Sequence, residues 1–507
     1  MARIDTFIPF LRSQRTLIGL TALVGLGGFM RLFKLDALPP GLATTEAQLG
    51  LTVRDLLATG HVPTFVPQDG YSPLLVILEA LPVHLLGATT WSLRLVPAIV
   101  GTLAIVFMWL WVRSWFGARI AWYAAFLLAV TPWAVTLTRN GSASGLMTLL
   151  VPLTLWLVTR AYRTGTVGWF MAVGLVLGID LLAGPLGWLL VGLVGLSAVI
   201  WVAGRRKLPV VTSGRVGAFM ILAALSGVAG YLIGRFPSGV ASLPGQLGLP
   251  ASPGDVISSI AASIAMFNLR GDGNFQHNMG GEPLLNIFVG LMFIAGLLVA
   301  MSKLTALRYR RLLLGFAAFM VPVSLSVAGA PDAARAAGLI PFTLIIAALG
   351  IDYMLGLWFS TFPINSAART TGGIAIVLLL SLTALQGYLQ YFHAWAGSAG
   401  TFAAFNEPAV ASSQAAARAP GSLTRVFVGG PDELPVAQFL SGPQIRIAGV
   451  NDIMASAPAK PYRLYITSAV RKQIQPVLVA TMPGGTLSPG LSKFDGTEIY
   501  YVYESAK

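Results

Sequence analysis

The chain has 507 residues, of which 55% are hydrophobic and 10% charged, and its mean hydropathy is +0.76. Those values exclude a soluble enzyme and describe a polytopic helical membrane protein. The net charge of +14 does not indicate nucleic acid, because the basic residues fall in short clusters between apolar stretches, and the absence of cysteine excludes disulfides, thiol catalysis and thiolate metal sites.

A helix that crosses a membrane needs about 17–25 predominantly apolar residues. Stretches of that kind predict about eleven spans, at 16–35, 95–112, 119–138, 145–160, 167–183, 184–203, 216–234, 285–301, 312–328, 338–358 and 371–391. The first has no small-residue cleavage site leading into soluble sequence, so it is read as an anchor. Residues 74–87 are apolar but short, and Glu79, Pro82 and His84 suit them to an interfacial or re-entrant helix.

Charge then assigns sides. With Arg3, Arg12 and Arg15 at the cytoplasmic end, alternate connections carry Arg113 and Arg119, Arg160 and Arg163, the Arg205 to Arg215 cluster, Lys303 to Arg311, and Arg369, with almost no acids. That is the pattern of cytoplasmic loops. The opposite connections, 36–72, 139–144, 235–284 and 330–337, therefore face outward, as does everything after about residue 392. An inner (plasma) membrane protein with a cytoplasmic N-terminus is expected.

After residue 391 the composition becomes that of a soluble domain. Runs at 424–428, 445–448, 463–467 and 498–503 read as strands and 470–480 as a helix. The expected fold class is thus an all-α polytopic membrane bundle (1–391), an Ala/Ser/Gly-rich linker (392–421) and a small C-terminal α/β extracytoplasmic domain (422–507).

Few outward acids are available for chemistry. Glu46 begins a predicted helix, 46–58, whose Leu49, Val53 and Leu57 share one face suited to the membrane surface. Thr45 and Gln48 fit a capping box there, so Glu46 is read both as a favourable first-turn acid and as a candidate base. Asp180 lies near the outer end of a span, where an unpaired carboxylate marks a functional or paired site. The outward loop around Asp272, His277 and Asn278 is rich in glycine and hydrogen-bonding side chains, as substrate-binding loops often are. Arg139 and Arg335 end two spans on that face; each alone suits snorkelling, and the two together suit an anion clamp.

The run Leu38-Pro39-Pro40-Gly41-Leu42 to Glu46-Ala47, then Gly70-Tyr71-Ser72-Pro73, Trp91-Ser92-Leu93-Arg94, Trp115-Phe116-Gly117, Thr131-Pro132-Trp133 and Thr138-Arg139-Asn140-Gly141, resembles the N-terminal half of the GT-C membrane glycosyltransferases. The branch is that of protein O-mannosyltransferases and lipid A aminoarabinose transferases. Segments 271–285 and 335–341 resemble later landmarks of bacterial members.

The resemblance implies transfer of a sugar, with inversion, from a polyprenyl-phosphate donor to an extracytoplasmic acceptor of unknown identity. A carboxylate would deprotonate the acceptor while cations steady the departing lipid phosphate. Catalytic roles are expected for Glu46 or Asp180, and substrate contacts for Arg139, Tyr71, Asp272, His277, Asn278 and Arg335. The family usually carries an Asp-Glu or Asp-Asp pair in the first outer loop, and this chain has Thr45-Glu46. Either Glu46 serves instead, or Asp180 does, or activity is lost. No cofactor is expected, and sparse outer carboxylates do not support a divalent metal. The other readings are an inactive membrane scaffold and a lipid or glycan transporter; the latter would require a polar path to the cytoplasmic side, and charged residues in the inner halves of the spans are few, such as Asp352.

Overall fold

The computed structural model describes residues 2–60, 72–203, 227, 252–325, 330–420, 423–442, 444–456, 458 and 461–505. Tyr71, nearly all of the predicted span 216–234 and the first part of the loop 235–284 lie outside the described residues. The chain divides into two compact units: 1–33, 62–75 and 95–391 in one, and 34–61, 76–94 and 392–507 in the other.

The first unit is helical. It contains α1 (Ala2–Leu32), most of α4 (Thr90–Phe116), α5 (Ala118–Val130), α6 (Pro132–Leu137), α7 (Met147–Thr164), α8 (Val167–Leu182) and α9 (Pro185–Ala203). There follow α10 (Pro253–Ala265), α11 (Ile287–Ser302), α12 (Leu307–Ser324), α13 (Ile340–Thr361) and α14 (Ser366–Leu389). Among the described residues, 5 helices are long and apolar enough to cross a membrane: Gln14–Leu32, Thr90–Phe116, Ala143–Thr164, Arg335–Thr361 and Ser366–Trp395. Shorter apolar helices coincide with most of the other predicted spans. The span predicted over 119–138 is broken at Thr131-Pro132, since proline has no N–H to donate and disfavours helical geometry in the residue before it.

Small residues let helices approach. A Cβ at Gly296 of α11 would stand 1.7 Å from the Ile346 carbonyl oxygen of α13, and one at Gly350 1.9 Å from that of Met292. Only glycine fits such a crossing, where close backbone contact replaces the hydrophobic force that lipid cannot supply. Arg31 is fully buried and donates to Thr138 Oγ1 at 3.0 Å and to the Gly27, Leu128 and Ala129 carbonyls, tying α1 to α5 and α6. Asp352, one of the few charges expected in the inner halves of the spans, pairs with Arg119.

The second unit holds α2 (Thr44–Thr59), most of α3 (Pro73–Leu86) and the C-terminal part of the chain. Its sheet has the order β2-β1-β3-β5-β4, formed by β1 (Thr424–Val428), β2 (Ile445–Ala448), β3 (Tyr462–Thr467), β4 (Thr486–Leu491) and β5 (Glu498–Glu504). β1 runs parallel to β2 and β3, and β5 antiparallel to β3 and β4. Val426, Val428, Leu464 and Ile466 pack with Ile474 of the helix Arg471–Thr481 to form its core. Segment 392–421, expected as a linker, contains the helices Ala399–Ala404 and Glu407–Arg418. Helix α2 packs on the helix Leu434–Leu440, where a Cβ at Gly50 would meet the Phe439 ring at 2.4 Å.

Candidate functional site

Helix α2 starts earlier than its sequence suggested. Ala43, not Thr45, is the N-cap, and Glu46 rather than Gln48 is the residue whose side chain reaches back, its Oε2 accepting from the Ala43 N–H at 3.0 Å. Gly41, at a φ of 105°, makes the preceding turn, and the Leu42 N–H donates to the Phe405 carbonyl at 2.7 Å. Arg94 then grips Glu46 with two bonds, Nε to Oε1 at 3.1 Å and Nη2 to Oε2 at 3.0 Å. The same guanidinium donates to the Pro39 and Gly41 carbonyls at 2.9 and 2.7 Å. Glu46 is 2% exposed and Arg94 0%. This forked, charge-assisted pair fixes the turn that leads into α2.

Thr45, one residue earlier, is exposed. One step along a helix turns a side chain by about 100°, so the acid that follows the family's leading position faces inward. Glu79 of α3 is also wholly buried, with neither carboxylate oxygen hydrogen-bonded.

In the helical unit, three loops come together. Asn140 Nδ2 donates to the Gln276 carbonyl at 2.7 Å, and Trp133 Nε1 to that of Ala333 at 3.0 Å. Loop 271–285 is closed by Gly271 N–H to Gly281 O at 3.0 Å, Gly281 N–H to Asp272 O at 2.8 Å, and Asn278 Nδ2 to the Asp272 and Glu282 carbonyls. Asp272 and Asn274 each accept a backbone N–H two residues on, the habit that makes these side chains turn formers. Asp272 Oδ2 also accepts the Ala333 N–H at 2.9 Å.

Asp272, Asp332 and His277 therefore share one place, and Arg335 Nε meets Asp332 Oδ2 at 3.2 Å. A cavity of about 660 Å³ opens beside them, lined by Arg270, Asp272, His277 and Asp332 among others. Arg139 is differently used. It is fully buried, with Nε on the Tyr391 hydroxyl at 2.9 Å and Nη1 and Nη2 on the Met30 and Phe33 carbonyls. Its guanidinium also lies over the Tyr391 ring, 5.0 Å from the centroid.

Asp180, near the C-terminal end of α8, is fully buried. Its Oδ2 accepts from Thr154 Oγ1 of α7 at 2.8 Å, while Oδ1 has no hydrogen-bond partner. Among the described residues no hydrogen bond joins it to the Asp272 cluster.

Sequence reasoning passed over Arg94, Arg270 and Asp332 as site residues. Arg94 had a signal: an arginine inside the run Trp91-Ser92-Leu93-Arg94-Leu95 is expensive unless paired, and so announces a partner. Arg270 and Asp332 had none stronger than their loops.

Residues 71–231 match the family described as dolichyl-phosphate-mannose-protein mannosyltransferase. YkcB of Bacillus subtilis (strain 168), named as a mannosyltransferase, is 29% identical over 107 residues, 21% of this chain and 15% of its own length. ArnT from Cupriavidus metallidurans in the apo state superposes with a TM-score of 0.59 at 15% identity, covering 97% of this chain and 98% of that one. The same protein bound to undecaprenyl phosphate gives a TM-score of 0.56 at 16% identity, covering 96% and 97%. The archaeal oligosaccharyltransferase AglB from Archaeoglobus fulgidus, solved with an inhibitory peptide and a dolichol-phosphate, gives 0.50 at 14% identity over 85% of this chain and 65% of its own. The resemblance read in the sequence holds, and the fold is that of the GT-C membrane glycosyltransferases.

Proposed function

We propose that the protein is a membrane glycosyltransferase that moves a sugar from a polyprenyl-phosphate donor to an extracytoplasmic acceptor. The observation that carries this reading is the correspondence of fold with ArnT along nearly the whole of both chains. ArnT has been solved with undecaprenyl phosphate and AglB with a dolichol-phosphate, which favours a lipid-phosphate donor here too. In our reading Asp180 is the acceptor base: of the two acids expected to serve, Glu46 and Asp180, it is the one with a buried oxygen that has no hydrogen-bond partner. Glu46 holds the loop, and Arg270 and Arg335 attract the lipid phosphate to the outer end of the bundle. The test is transfer by the full chain in lipid nanodiscs, supplied in turn with polyprenyl-phosphate hexoses and pentoses. Turnover of one donor supports the reading; binding of polyprenyl phosphate without turnover of any donor overturns it.

A second reading is favoured by Thr45: the exposed position where the family carries an acid holds a hydroxyl. In it the chain is a non-catalytic scaffold that keeps the lipid site. Activity that appears only in Thr45→Asp would select it.

The proposed topology is about eleven spans with the N-terminus in the cytoplasm and the α/β domain outside, supported by the alternation of basic loops. Gln473, exposed on the helix Arg471–Thr481, tests it. A cysteine there should react with an impermeant maleimide in intact cells, and reaction only after lysis would reverse the topology.

A further inference from the structure

We propose that Asp272, His277 and Asp332 bind one divalent transition-metal ion, of the zinc or manganese kind, that pins loop 271–285 to the segment before α13. One ligand atom from each of the three residues falls within 4.8 Å of the others. His277 Nδ1 stands 3.5 Å from Asp272 Oδ2 and 3.9 Å from Asp332 Oδ1. These separations exceed the roughly 2.7–3.2 Å of an N–H to oxygen hydrogen bond. They approach the edge of a tetrahedron whose bonds to the centre are about 2.0–2.2 Å, which is about 3.4 Å. A small contraction of two loops would close them around an ion.

The nitrogen is also otherwise idle: His277 Nδ1 is buried without a hydrogen-bond partner. The carboxylates, by contrast, are already aimed. Asp272 accepts the Asn274 and Ala333 N–H groups at 2.7 and 2.9 Å, and Asp332 accepts those of Ala334 and Arg335 at 2.8 and 2.9 Å. Such backbone donors fix the orientation of metal ligands in known sites.

One imidazole with two carboxylates selects a borderline ion over magnesium or calcium, which prefer all-oxygen shells. Three protein ligands leave a coordination position free, and the 660 Å³ cavity lined by the same three residues is where it opens. An oxygen of water or of a phosphoryl group would complete the shell there. The binding claim stands whether or not the chain transfers sugar.

The experiment is titration of the full-length protein in detergent, stripped with EDTA, with Zn²⁺ by calorimetry and metal analysis after dialysis. One equivalent should bind, magnesium in excess should not displace it, and His277→Gln and Asp332→Asn should each weaken it at least about 100-fold. Glu282→Gln, in the same loop but exposed, should bind like the wild type. Thermal midpoints measured in EDTA, equal across all four proteins, show that the variants are folded. Should one variant fail that check, the other decides. Absence of stoichiometric zinc, or wild-type affinity in a folded His277→Gln or Asp332→Asn protein, overturns the site.

Discussion

Glu46 and Asp180 are both carboxylates shut away from solvent, and they are provided for in opposite ways. Glu46 has a forked arginine on its two oxygens and a backbone N–H besides. Asp180 has one hydroxyl and an idle oxygen. Burying an unpaired charge costs several kcal/mol, so a fully partnered acid reads as framework and a half-partnered one as a group kept for chemistry. Proximity to a family motif and bonding thus rank the two in opposite orders: Glu46 sits beside the motif position, yet its bonding is that of an anchor.

The largest effect should come from breaking the anchor. Removing one member of a buried, hydrogen-bonded ion pair costs about 3–5 kcal/mol, because the other is left charged and unpaired. Glu46→Ala and Arg94→Ala should each lower the thermal unfolding midpoint in detergent by many degrees and release the Pro39–Gly41 turn to proteolysis. An unmoved midpoint in both would mean that the pair is dispensable and reopen Glu46 as a base.

Asp180→Asn tests the other half of the comparison. The amide can still accept from Thr154 through its oxygen, so the fold should persist with its midpoint nearly unchanged. Transfer should fall by about 10²-fold or more, the usual loss for a general base. Wild-type transfer by Asp180→Asn would move the base to Asp272 or Asp332, whose variants then become the ones to assay.

Much of this architecture was legible in advance. Helix positions followed from apolar run length, and the strands at 424–428 and 445–448 from β-branched and aromatic runs between turn residues. Strand β4 was not legible, because Pro489 and Gly490 argue against a strand, and it survives as an edge strand whose missing N–H need not face a neighbour. The break at Thr131-Pro132 was readable from the proline and was overridden by hydropathy. In the site, sequence reading singled out the scarce acids but not their partners. Arg94 lies 48 residues from Glu46, and Ala333 lies 61 from the Asp272 carboxylate that accepts its N–H: sequence distance hides what loop closure brings together. The one-residue turn from Thr45 to Glu46 could be computed, but which of the two faced inward depended on where the helix began, and Ala43 gave no cap signal.

A buried carboxylate in the C-terminal domain sharpens the comparison further. Glu433, 7% exposed at the C-terminal end of the parallel strands, makes no ion pair among the described residues. Its Oε2 accepts from Thr467 Oγ1 at 2.6 Å and from the Gly430 N–H at 2.8 Å. Burial raises its carboxyl above the ordinary 4.5, with Asp432 adding to the rise and the two donors opposing it. The folded chain thus holds this proton more tightly than the unfolded chain does. The contribution to stability is greatest below the unfolded value and declines as pH rises from there through the folded value. Glu433→Gln removes that decline while its amide oxygen keeps both donors satisfied. The unfolding free energy of the variant relative to wild type should therefore move in the variant's favour between about pH 4 and pH 7, by something on the order of 1 kcal/mol, the scale of one hydrogen bond. The opposite trend would show that the two neutral donors outweigh burial, and that Glu433 belongs with Glu46 as an acid the fold prefers charged.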